Sequence, residues 1–187
     1  MKSRLLWIIL SAIVVLMLGV AAAACGDDDD EDGNGAPTGD GEPDAEAYYS
    51  DVDRIQNRLT THLADIEEQS NEAYGDPEKA ATSLAAATSA GESALADIKA
   101  LDVPSVAATA HADLVAAAEA MISALDGMIA GLEGIEGTGP EYTNWLGDIA
   151  QTDSEYTQAV NQLREACDGM QDAADNSQVE IVIQCPI

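Results

Sequence analysis

Basic side chains are scarce in this sequence. Lys and Arg together number 7, against 35 Asp and Glu, and the formal net charge is −28. A nucleic-acid-binding protein needs a basic surface that neutralises phosphates, so this class of partner is excluded. An anionic membrane surface would also repel the chain, whereas cations and basic proteins would be attracted to it.

Residues that usually carry chemistry are few as well, with 2 His and 3 Cys in 187 residues. The sequence has no nucleophile elbow, phosphate-binding loop, paired-cysteine metal motif or Ser/His/Asp pattern. His62 and His111 are expected at heights about 18 Å apart on their helices. Neither belongs to a Glu-x-x-His motif of the kind that di-iron bundles use. We therefore expect a protein that is not an enzyme and has no cofactor and no defined metal site.

The first 24 residues have the layout of an export signal. Lys2 and Arg4 precede a long apolar run, and four alanines end it. The stretch Leu5–Ala24 is 20 residues long, which is also enough to span a bilayer as a helix. Residues 1–24 are therefore predicted to be a signal peptide, with an uncleaved membrane anchor helix as the alternative.

A single cysteine follows this run directly. Ala22-Ala23-Ala24-Cys25 resembles the lipobox of bacterial lipoproteins, with Ala22 where Leu is usual. The resemblance covers the first 25 residues and implies that Cys25 receives a diacylglycerol group and becomes the new N-terminus. It also implies an exported protein, held by its lipid on the outer face of the cell membrane in the bacterial envelope. Cleavage after Ala24 would leave 5 basic residues against 35 acidic ones, a formal charge of −30.

An acidic segment separates Cys25 from the rest of the chain. Residues 25–47 consist mainly of Asp, Glu, Gly, Pro, Asn and Thr, a composition too poor in apolar surface to fold. The run Asp27–Asp32 lacks the glycine turn and the spaced ligands of a calcium loop. We expect a disordered acidic linker whose charges repel one another and hold the following domain away from the bilayer.

Residues 48–187 are predicted to form one helical domain. Apolar residues recur with a helical period in four segments, separated by breaks that contain Gly or Pro. The predicted helices run from about Pro43 to Asn71, from Pro77 to about Leu101, from Pro104 to Leu132, and from Pro140 to Met170. Four long helices with short connections predict an all-α fold, an antiparallel four-helix bundle, which we expect to be monomeric.

The chain ends in a different pattern. Val179, Ile181 and Ile183 alternate with other residues at a period near two, which predicts an extended arm lying in a groove between helices. If Cys25 carries a lipid, Cys167 and Cys185 remain as an even pair. An oxidising exported compartment would allow this pair to form a disulfide that fastens the arm to the last helix.

The order of lipobox, acidic linker, alanine-rich helices and C-terminal cysteines resembles the small helical lipoproteins of bacterial envelopes. This resemblance is one of composition and transfers no functional residue. We expect a non-enzymatic domain that binds a partner protein or a small ligand outside the cytoplasm, with Tyr142, Trp145 and Tyr156 as the candidate ligand-binding residues. The alternative is an acidic cation-binding or metal-binding module, which would gather three or more ligand side chains.

Overall fold

The structure, a computed structural model, describes residues 43–71, 76–137 and 139–183. These residues form five α-helices and one 3-10 turn, and no strand. The helices are α1 (Ala45–Asn71), α2 (Pro77–Lys99), α3 (Ala108–Leu132), α4 (Pro140–Ile149) and α5 (Glu155–Asn176), and the 3-10 turn Ser105–Ala107 directly precedes α3. The all-α class is confirmed. The predicted signal peptide, Cys25 and Cys185 lie outside the described residues.

Side-chain caps fix where α1 and α2 begin. The carboxylate of Asp44 accepts hydrogen bonds from the backbone N–H groups of Glu46 and Ala47, at 2.8 and 3.2 Å. Helix α1 therefore starts at Ala45, so the last three residues of the predicted linker, residues 25–47, are helical. At α2, Asp76 is the N-cap and Pro77 the first helical residue, as the sequence predicts.

The fourth predicted helix is wrong as a continuous element. It is divided into α4 and α5 by residues 150–154. Ser154 caps α5 by accepting a bond from the N–H of Thr157 at 3.1 Å, and its hydroxyl lies 2.8 Å from the carbonyl oxygen of Ile149. Such local bonds give the backbone an alternative to helical pairing, which explains the interruption.

Helix α3 is central in the fold. It packs against α2 and α5, and α1 packs against α2, whereas α4 touches α3 and α5 at few positions. The segment Ser105–Leu132 is long and apolar enough to cross a membrane by length and composition alone. In this domain it packs against two neighbouring helices, α2 and α5.

The buried side chains form two clusters. The main core joins α1, α2, α3, α5 and the tail, and consists of Tyr48, Tyr49, Val52, Ile55, Ala94, Ile98, Ala107, Ala110, Leu114, Ala117, Ala166, Cys167, Met170, Ala174 and Ile183. The side core consists of Leu132, Tyr142 and Leu146, with partly buried residues from the start of α2 packed against it. Its position places α4 over one end of the α2 and α3 pair.

The tail after α5 forms neither helix nor strand over residues 179–183, and it docks on the main core; a turn bond from the N–H of Ile181 to the carbonyl oxygen of Val179, at 3.0 Å, interrupts the predicted extended arm. Ile183 is buried in the main core, and Val179 and Ile181 pack against that core, whereas Val182 is 72% exposed. The side-chain amide of Gln171 donates to the carbonyl oxygen of Ile181 at 3.0 Å and accepts from the N–H of Ile183 at 2.8 Å. The side chain of Gln171 therefore makes the two backbone hydrogen bonds that a neighbouring strand would otherwise make to the tail.

Cys167 lies on α5 within the main core and is 3% exposed. Its sulfur is disulfide-bonded. Since Cys185 lies outside the described residues, the predicted Cys167–Cys185 pairing stays a prediction.

Candidate functional site

Two of the three predicted ligand-binding residues lie together on α4. The rings of Tyr142 and Trp145 are stacked, with centroids 5.6 Å apart and an angle of 18° between their planes. They share a face because they are three residues apart on a helix. Tyr142 is only 3% exposed and belongs to the side core, whereas Trp145 is half-buried. Trp145 is thus the member of the pair that a ligand could reach, and Tyr142 supports it from behind.

A glycine on α3 makes room for the indole of Trp145. A β-carbon built at Gly131 would lie 2.8 Å from Nε1 and 3.0 Å from Cδ1 of Trp145. These distances are shorter than normal contacts, so the indole rests directly against the backbone of α3. The absence of a side chain at Gly131 therefore determines how closely α4 approaches α3.

Tyr156, the third predicted residue, belongs to a different place in the fold. It lies on α5, beyond the break that separates α4 from α5, and is half-buried outside both core clusters. Burial raises the pKa of its hydroxyl to about 12. The structure brings Tyr142 and Trp145 together and does not add Tyr156 to their stack.

Tyr48, to which the sequence pattern assigns no role, lies in the main core. Its hydroxyl is 3.0 Å from Nδ1 of His111 and 3.9 Å from the sulfur of Met170. Burial, and then the neighbouring Tyr49, raise the pKa of Tyr48, and burial lowers the pKa of His111. The phenol and the imidazole therefore meet in their neutral forms. The adjacent tyrosines in a chain without phenylalanine were the signal that could have revealed this contact.

A metal-binding module would need several ligand side chains close together. Among the described residues, no group of three or more His, Cys, Asp or Glu side chains could hold a metal ion. His62 lies on the exposed surface of α1, and His111 is engaged with Tyr48. The acidic run Asp27–Asp32 lies outside the described residues.

Comparison with known proteins gives no relative: no family model, no curated protein and no solved structure matches the chain.

Proposed function

We propose that this protein is an envelope lipoprotein that displays a non-enzymatic helical binding domain outside the cytoplasm. The observation that carries the proposal is the order of its parts along the chain. A lipobox-like Ala22–Cys25 is followed by an acidic segment, and a capped helix then begins at Ala45. The 19 residues between Cys25 and Ala45 could reach at most about 65 Å when fully extended. That reach holds the domain clear of the lipid headgroups.

We also propose that α1, α2, α3 and α5 form an antiparallel four-helix bundle. Support comes from contacts between helix ends. Tyr48 at the start of α1 meets His111 near the start of α3 and Met170 near the end of α5. Alternating helix directions bring the starts of α1 and α3 and the end of α5 to the same level. Arg58, midway along α1, pairs with Asp97 near the end of α2, so α1 and α2 are neighbours.

Within this domain, the surface around Trp145 is the proposed ligand-binding site. A half-buried indole with a stacked ring behind it is a rigid apolar contact surface, and such side chains dominate binding energies. A site-specific photo-crosslinker at Trp145, used in intact cells that produce the full chain, should form an adduct with the ligand or partner. The matched control is Asn144, exposed on the same helix. Equal crosslinking at both positions would contradict the site.

The anchor is tested by metabolic labelling of the full chain with an alkyne-bearing fatty acid in a bacterial host. We expect label on the wild-type protein in the membrane fraction and none on the Cys25→Ser variant. Mass spectrometry should find a mature N-terminus at Cys25. An unlabelled wild-type protein that still sediments with membranes would instead support an uncleaved helix over residues 1–24. Non-reducing peptide mapping of the same sample should find Cys167 joined to Cys185.

A further inference from the structure

A second surface, on the side of α2 and α3, has the shape and charge of a docking groove. The groove has a volume of about 440 Å³ and is lined by Glu92, Leu95, Ala96, Lys99, Glu119, Ile122, Ser123 and Asp126. Its floor is aliphatic, and its edges carry three carboxylates against one ammonium group. None of these residues belongs to the aromatic site on α4.

The charges are arranged unequally along the groove. Lys99 of α2 and Glu119 of α3 form an ion pair at 2.6 Å. Seven residues away on each helix, Glu92 and Asp126 line the same groove. The ion pairs among the described residues are Arg54–Asp51, Arg58–Asp97 and Lys99–Glu119. One end of the groove is therefore neutralised, and the other presents two carboxylates without a basic partner.

Helix α3 is only partly covered by its neighbours, since 22% of its most apolar window is buried. Its exposed positions next to the groove are alanine, glycine or polar residues, and Ile122 is half-buried. Gly91 of α2 faces Ile122 of α3, with 3.6 Å between its built β-carbon and the isoleucine Cγ1. Small residues at the contact let the two helices approach closely and keep the surface between them smooth.

From this geometry we infer that the α2/α3 groove binds a basic amphipathic helix of a partner protein. An apolar stripe on that helix would cover Ala96 and the half-buried Ile122, and its Lys or Arg side chains would reach Glu92 and Asp126. A second copy of this chain is an unsuitable occupant, because both copies would carry a formal charge near −30. The inference rests on the proposed role as a binding domain and is independent of the lipid anchor.

The test uses the full chain in detergent micelles and a synthetic peptide of about three heptads, with Leu at the apolar positions and Lys beside them. Fluorescence anisotropy measures its dissociation constant at fixed ionic strength. The groove variant is Glu92→Gln with Asp126→Asn. The matched control is Glu141→Gln with Asp148→Asn, which makes the same charge change on exposed residues of α4.

We expect the groove variant to weaken peptide binding at least about five-fold relative to the control variant, since two carboxylates at the rim of the groove lose their charge. A peptide of the same composition without an apolar stripe should bind more weakly to the wild type. Amide NMR shifts on peptide addition should concentrate in residues 92–99 and 119–126.

Three results would overturn the inference: no binding, equal weakening by both variants, or equal binding of the peptide without a stripe. Equal weakening by both variants, or equal binding of the peptide without a stripe, would show that the peptide is attracted by the negative charge of the whole protein. Displacement of the peptide by spermidine, with loss of spermidine binding in the groove variant, would reassign the groove to a small amine. Failure here leaves the fatty-acid labelling of Cys25 unchanged, so it is distinguishable from failure of the proposed lipoprotein.

Discussion

The two adjacent tyrosines of α1 differ in how their hydroxyl groups are satisfied. Tyr48 meets His111, whereas the buried hydroxyl of Tyr49 has no hydrogen-bond partner in the part of the chain that the structure describes. An unpaired buried hydroxyl costs about 1–3 kcal/mol. We expect Tyr49→Phe to raise the free energy of unfolding by about 1 kcal/mol and Tyr48→Phe to lower it by a similar amount. Thermal and urea unfolding of both variants measure this, and equal destabilisation by the two would contradict the assignment.

His111 makes the stability of the domain depend on pH. Burial lowers its folded-state pKa below the ordinary value of 6.5, so the unfolded chain binds a proton more readily than the folded one. The contribution of His111 is therefore complete above pH 6.5 and is lost as the pH falls towards the folded-state pKa.

We expect the melting temperature of the wild type to fall more between pH 7.5 and 5.5 than that of His111→Gln, which cannot titrate. Carboxylates titrate alike in both proteins, so the difference isolates His111. Parallel pH profiles for the two proteins would contradict this prediction.

Two glycines of α3 form a matched pair for substitution. A β-carbon at Gly127 would meet only a Glu155 oxygen at 3.8 Å, whereas one at Gly131 would collide with Trp145. Gly127→Ala should stabilise the domain by up to about 1 kcal/mol through helix propensity. Gly131→Ala should give no such gain and should shift the indole N–H resonance of Trp145. An unshifted resonance would show that the indole does not rest on α3.

Sequence spacing identified only part of the candidate site. Tyr142 and Trp145 could be paired because three positions on one helix fix their separation. Tyr156 could not be excluded, because the same reasoning required a helix that continued past Ile149. The contact between Tyr48 and His111, 63 residues apart, depends on how two helices are placed lengthwise, which no local pattern contains.

At the scale of elements, the apolar period predicted which segments are helical, but it did not predict where a helix is interrupted. Ile149 and Tyr156 are seven residues apart, so the apolar stripe crosses the break between α4 and α5 without a change of phase. The break depends instead on the side-chain bonds of Ser154. The helix starts predicted at Pro77 and Pro140 are confirmed. The start predicted at Pro104 is wrong, because α3 begins at Ala108, after the 3-10 turn Ser105–Ala107.

The tail depends on one side chain of α5. Gln171→Ala removes both hydrogen bonds to the tail, each worth about 0.5–1.5 kcal/mol. We expect the Ile183 amide to exchange with solvent at least about five-fold faster, measured by hydrogen exchange with disulfides intact. Gln162→Ala, an exposed change on the same helix, should leave that amide unaffected. Unchanged protection in Gln171→Ala would show that burial of Ile183 alone holds the tail.

For the whole molecule, repulsion among like charges outweighs the ion pairs. The formal charge is −28, and the three ion pairs among the described residues join partly exposed side chains, which contribute little. Salt should therefore stabilise the protein, because the Debye length, over which charges repel one another, falls from about 30 Å at 0.01 M to about 8 Å at 0.15 M ionic strength.

We expect the melting temperature to rise steadily over this range, equally for NaCl and choline chloride. A melting temperature that fell with salt would contradict net repulsion. A larger rise with Ca²⁺ or Zn²⁺ at matched ionic strength would instead favour the cation-binding alternative.

Residues near both ends of the described chain are packed in the same core cluster. Tyr48 and Tyr49, one turn into α1, and Ile183, at the end of the tail, all belong to the main core. A mechanical pull on the segment before α1 would thus meet packed side chains within the first turn of that helix. The domain would resist tension until its centre yields, and it would then open as a unit rather than peel from one end.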